Sequence, residues 1–232
     1  MSDKPSTKNS NVQEAALAQE KHEVDSTSFG PDDVVVLRKD TVFQGFFRVA
    51  EYELKHQLFA GEWSQPIVRE IFDRGESAAL LLYDPLLDNV ILVEQFRTAA
   101  IQQLNYVKSP WLLEVVAGMV DKDRTPEEVV IAEAKEEANC KVDELFPICH
   151  YLVSPGGTSE LIHLFLGTTK SENAGGVYGL ASENEDIKVH VVKRDLAYEW
   201  TKTGRIVNAV TIMALQWLEL NRNSLFSNKI EE

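Results

Sequence analysis

Apolar positions are sparse over residues 1–30, where Ser, Lys, Glu, Asn and Gln dominate and little is available to bury. This stretch is expected to be a mobile tail, with room for a short helix over 12–21 to which no role is assigned. The pattern changes at Val34. The runs VVVLR, FQGFFRVAEYELKHQLF and VREIF are β-branched and aromatic with partial alternation, which predicts strands. SAALLLYD and NVILVEQFR flank the turn residues PLLD and predict a hairpin, and WLLEVVAG predicts one further strand running straight into Gly118. LFPICHYLVS and LIHLFLGTT are expected strands on either side of the glycine loop SPGGTSE. Residues 170–186 are polar and predict a long loop, after which IKVHVVK returns as a strand.

Three helices are expected. Thr125 is placed to N-cap the first, Pro126 suits its first helical position, and Glu128 three residues after the threonine completes a capping box. Asn139, which tolerates a left-handed conformation, is its expected stop. Val129, Val130, Ala134 and Ala138 supply its apolar surface. A second helix covers 195–203 and ends at Gly204. The third runs over 208–221, with Val210, Met213, Trp217 and Leu220 spaced as a core-packing stripe. Strands and helices mixed in this order predict an α/β/α sandwich preceded by an additional β region.

Composition narrows the function classes. The 232 residues are 44% hydrophobic, enough for a packed core, and 23 Lys and Arg against 37 Asp and Glu leave a formal net charge of −14. A nucleic-acid partner would need a basic face, so none is expected. A phosphate substrate remains compatible if a cation and a few arginines invert the field locally. The two cysteines and five histidines show no zinc-ligand spacing, and no 18-residue apolar run or basic-then-apolar leader occurs. The expected setting is cytoplasmic, with no membrane contact.

The first helix carries the chemistry. Glu133, Glu136 and Glu137 fall within little more than one turn, so their carboxylates share a face and repel unless a counter-charge sits among them. Such a run on a helix is by default a solvated face. A hard cation gives it another meaning, because magnesium takes oxygen ligands and is held by one or two carboxylates together with substrate phosphates and water. Metal-assisted phosphate chemistry follows.

The segment from Gly118 to Asn139 resembles the Nudix box, in which a glycine, a glutamate and an Arg-Glu…Glu-Glu…Gly helix stand at set spacing. Gly118, Glu133, Glu136 and Glu137 match, with Ala134 at the aliphatic position. Arg124 stands in place of the first glutamate, Ala132 in place of the arginine and Asn139 in place of the last glycine. REIFDRG (69–75), VEQFR (93–97), PWLLEVVAG (110–118), SPGGTSE (154–160) and GLASENEDIKVHVV (179–192) extend the likeness, in order and at similar spacing, to the bacterial ADP-ribose pyrophosphatases of the Nudix hydrolase family.

That resemblance implies the Nudix α/β/α sandwich with an additional N-terminal antiparallel β region, divided as tail 1–30, β region 31–75 and catalytic domain 76–225. It implies magnesium-dependent hydrolysis of ADP-ribose to AMP and ribose 5-phosphate by a homodimer, with manganese as the alternative ion. Glu133, Glu137, Glu185 and the Ala117 carbonyl are the implied metal ligands, Glu136 a further ligand or a residue behind them, and Glu183 the general base. Phe46, Arg69, Arg97, Met119 and Glu160 are the implied substrate contacts. The glycines of SPGGTSE are expected to use left-handed backbone to bring Glu160 to the site. Arg97 and Arg69 have strand-surface ion pairing as their ordinary role, and Phe46 has core packing. Loss of the box arginine at Ala132, a partner that orients a glutamate, and of the first glutamate at Arg124 leaves open a non-catalytic ADP-ribose-binding protein; pocket shape outside the matched residues, which sets substrate choice, leaves open a hydrolase of another nucleoside diphosphate sugar.

Overall fold

A computed structural model describes residues 29–226 apart from 181 and 183. The tail 1–28, with the expected helix over 12–21, therefore lies outside the described residues. Among the described residues the chain divides into two compact units, one of residues 29–44 and 49–70, the other of 45–48 and 71–226. Among the described residues, no helix is long and apolar enough to cross a membrane.

In the first unit the β-branched runs form a three-stranded sheet in the order β1 (Val34–Gln44), β2 (Arg48–His56), β3 (Ile67–Asp73), with β3 continuing across the division. The long run FQGFFRVAEYELKHQLF is not one strand. Its first two residues complete β1, and the chain turns at 45–47 before β2. Every residue of β1, an edge strand, is exposed.

The second unit is built on a mixed sheet. The hairpin forms as expected, β4 (Glu76–Asp84) and β5 (Asn89–Phe96), followed by β6 (Trp111–Glu114) and β7 (Val116–Met119). Next come α1 (Pro126–Ala138), β8 (Glu144–Leu152), β9 (Leu161–Thr168), β10 (Gly176–Tyr178), β11 (Ile187–Lys193), α2 (Arg194–Thr203) and α3 (Ala209–Phe226). The main path is β10-β11-β5-β4-β9-β8, in which only β4 and β9 are parallel. Side chains of β4 alternate between two cores. Ala79, Leu81 and Tyr83 join Ala197, Ala214, Leu215 and Leu218 of α2 and α3; Ala78, Leu80 and Leu82 join Val129, Val130, Ala134 and Ala138 of α1. A central strand apolar on both faces needs a helix layer on each side, and the sandwich follows.

Four local expectations need correction. WLLEVVAG is two strands: β6 pairs with the distal half of β5, and β7 with the proximal half of β4, so the segment wedges into the fork where the hairpin strands part. The break falls at Val115, whose N–H leaves the ladder for Thr211 Oγ1 at 3.0 Å. The loop after β9 contains β10, held by β11. The last helix extends to Phe226, and its packed face is Thr211, Ala214, Leu215 and Leu218, while Leu220 is 84% exposed. Val210, Met213 and Trp217 flank that face, partly buried. Finally, neither Gly156 nor Gly157 has positive φ. The loop is instead laid along the end of β3, with Phe72 N donating to Gly157 O and Ser159 N to Phe72 O.

Candidate active site

The first helix starts and stops as its residues require. Thr125 Oγ1 accepts from Glu128 N, Glu128 Oε2 accepts from Thr125 N at 2.8 Å, and Asn139 closes the helix at φ 51°, ψ 32°. Burying the Val129, Val130, Ala134 and Ala138 face on the sheet turns the neighbouring flank, with Glu133 and Glu137, toward β7. Glu137 goes deepest, at 2% exposure, and its Oε2 accepts from Ala117 N at 3.2 Å. Ala117 stands opposite Ala79, so with its N–H spent on Glu137 this is a non-hydrogen-bonded pair, and the Ala117 carbonyl also faces away from β4.

Gly118 is required by approach. A Cβ there would lie 2.1 Å from Glu133 Oε1, so only glycine lets that carboxylate settle on the β7 backbone. Gly179, at φ 103°, serves Glu185 in the same way, since a Cβ would meet the Glu185 Cβ at 2.7 Å. The loop is closed by Leu180 N donating to Glu185 Oε2 and Glu185 N to Leu180 O. Burial pushes the Glu137 carboxyl up to about 8; the Ala117 N–H pulls it down, Glu133 and Glu185 push it further up, and Arg97 draws it back. Glu133 of α1, Glu185 of the late loop and Arg97 after β5 thus all act on the Glu137 carboxyl that the Ala117 N–H holds. Glu136 is exposed on the outer side of the helix.

The remaining expected residues are placed as follows. Arg97 is engaged by Glu114, its Nε and Nη2 both donating to Oε2 at 2.9 and 2.7 Å. Met119 is half exposed at the end of β7, opposite Ser77. Glu160 accepts from Arg74 Nε at 3.0 Å and from Ser77 Oγ at 3.3 Å. Phe46 is 88% exposed, which overturns the core-packing default for that ring, and its neighbour Phe47 lies under the Arg74 guanidinium. Arg69 belongs to the first unit, where its Nη1 donates to the Val68 carbonyl. Glu183 lies outside the described residues. Among the described residues, no three His, Cys, Asp or Glu side chains stand close enough to grip a metal unaided.

Sequence reasoning missed Arg74, although it stands next to last in the quoted REIFDRG run, and it missed Glu114, which reads as one polar residue in an apolar strand. Two of the three box departures, Arg124 and Ala132, also have a local account. Arg124 donates to Asp121 Oδ2 at 2.8 Å, and that hydrogen bond, with Glu133 and Glu136 adding to it, holds its guanidinium above the ordinary value. A cation from position 124 therefore acts on two of the glutamates that Ala132 leaves without one.

Comparison with known proteins supplies the deciding observation. The chain is 45% identical over 198 residues to the ADP-ribose pyrophosphatase of Escherichia coli K12, covering 85% of this chain and 93% of that protein. The ADP-ribose pyrophosphatase of Haemophilus influenzae is 47% identical over 193 residues, covering 83% and 89%. The chain belongs to the Nudix hydrolase family. Within it, a GDP-mannose pyrophosphatase of Escherichia coli is more distant, 37% identical over 156 residues, 66% of this chain and 78% of that one. A crystal structure of an ADP compounds hydrolase shares the Nudix fold at TM-score 0.63 and 16% identity, covering 83% of this chain and 96% of that chain. No protein-family model matches the chain.

Proposed function

We propose that this Nudix protein hydrolyses the pyrophosphate bond of ADP-ribose, water adding to one phosphorus as the bridging P–O bond breaks, to give AMP and ribose 5-phosphate. The observation that carries the reading is the buried Glu137 carboxyl on the Ala117 N–H, with Glu133 seated against Gly118 and with Glu185 and Arg97 acting on it electrostatically, in a chain 45–47% identical to ADP-ribose pyrophosphatases. The donors are all oxygen, and a buried carboxylate raised to about 8 beside two others lacks positive charge. This fits a hard divalent cation, and magnesium, which needs only one or two carboxylates when phosphates and water complete its shell, suits a site without a three-side-chain cage. Glu133, Glu137, Glu185 and the Ala117 carbonyl would hold magnesium, or manganese in its place, with Glu136 beside them. When bound, the ion supplies charge neutralisation for the phosphates.

The chain's own residues do the rest. Arg97 meets the diphosphate, Met119 and Glu160 line the ligand, Arg69 and Phe46 address its adenosine part, and Glu183 takes the proton of the attacking water. The first unit, with an 11-residue exposed edge strand bearing Val34, Val36, Val42 and Phe43, supports assembly as a homodimer. The net charge of −14 supports a protein without nucleic-acid partners, and we place it in the cytoplasm.

AMP release from ADP-ribose with magnesium tests the reading. Glu137→Gln should lower it by at least about a hundredfold, the scale of losing a group that acts in the transition state. Full activity in that variant would refute the assignment. A second reading is favoured by the GDP-mannose pyrophosphatase relative: turnover of GDP-mannose in preference to ADP-ribose would move the substrate to another nucleoside diphosphate sugar. Binding without product, even with saturating metal, would mark a non-catalytic binder.

A further inference from the structure

Arg97 acts on the buried Glu137 carboxyl, yet it follows the last residue of β5 on a side chain 43% exposed. A long flexible arm in that position loses orientation unless something holds it. Glu114, at 4% exposure, does so side-on: one oxygen, Oε2, accepts from both Nε and Nη2, which fixes the plane of the guanidinium. Nη1 has no partner among the described residues.

Glu114 is held in turn. Its Oε1 accepts from Asn208 Nδ2 at 2.9 Å, and Asn208 Oδ1 accepts from Thr211 N and Thr211 Oγ1, each at 3.2 Å. Thr211 Oγ1 accepts from Val115 N, the N–H released where β6 ends. Asn208 is therefore the cap of α3 through its oxygen, and that duty turns its amide nitrogen toward Glu114. From Thr211 through Asn208 to Glu114 each side-chain polar atom has a partner, in a place where an unpaired one would be costly.

We propose that Glu114 and Asn208 are positioning residues that set the Arg97 guanidinium with its Nη1 edge toward the diphosphate of the substrate. The proposal rests on the site being one for a nucleoside diphosphate. Orienting the arginine before binding removes an ordering cost that the ligand would otherwise bear, so the effect falls on affinity. Three changes separate this from simple packing. Glu114→Gln keeps the shape and loses the charge. Asn208→Ser keeps a good helix cap but cannot reach Glu114. Arg97→Ala removes what both act on.

The experiment measures steady-state release of AMP from ADP-ribose with magnesium, and the affinity for ADP by calorimetry in EDTA. Glu114→Gln should raise KM about tenfold and weaken ADP binding similarly, with kcat within about twofold of wild type. Asn208→Ser should move both in the same direction by less. In the Arg97→Ala background Glu114→Gln should have no further effect on ADP affinity, because residues acting through one group are not additive. An equal effect of Glu114→Gln with and without Arg97, or unchanged ADP affinity, would overturn the proposal. Absence of AMP from the wild-type chain would instead count against the hydrolase reading, with the ADP titrations still deciding the role of Glu114.

Discussion

Glu137 illustrates how a residue can be legible in type and illegible in state. Its spacing from Glu133 places both on one helix face, which the sequence shows, but its raised pKa comes from burial against β7 and from Glu185, 48 residues later in the chain by numbering. A carboxyl whose folded pKa lies near 8, above the ordinary 4.5, stabilises the fold fully below about pH 4.5 and loses that contribution as pH rises through about 8. In EDTA, the melting temperature of the wild type should therefore fall across this window, and Glu137→Gln should flatten that part of the profile. Magnesium should raise the wild-type melting temperature more at pH 8 than at pH 5, since it binds the ionised form. A profile identical in the two proteins would remove Glu137 from the account.

Among the elements, α1 was the most legible, because its signals are all local. Thr125, Pro126, Glu128 and Asn139 each act within a turn of the helix end, and each is found in the expected role. Thr125→Ala should cost about 1 kcal/mol of stability, read as a lower denaturation midpoint with unchanged denaturant slope. No change in midpoint would mean that packing alone holds the helix. The β6–β7 break and β10 were not legible. Nothing in WLLEVVAG marks Val115, since the break is set by the parting of β4 and β5 and by a threonine 96 residues away. The face of α3 shifted for a related reason. Its apolar residues extend around more than one side, and which side packs is chosen by the sheet.

At the scale of the molecule, the exposed β1 is the least satisfied surface of the first unit. Light scattering should give a particle of two 26.1 kDa chains, and Val36→Asp with Phe43→Asp should shift it toward one. A wild-type particle of one chain would exclude the homodimer. The sequence by itself determined the sandwich order and the capped glutamate helix, because propensity, caps and hydrophobic period act over a few residues. Only the tertiary structure decided that Gly118 is the seat of Glu133, that Arg97 is held by Glu114 and Glu114 in turn by Asn208, and that the SPGGTSE glycines use no left-handed backbone. Those outcomes depend on residues 15 to 94 positions apart meeting across a packed sheet, and such meetings leave no periodic trace along the chain.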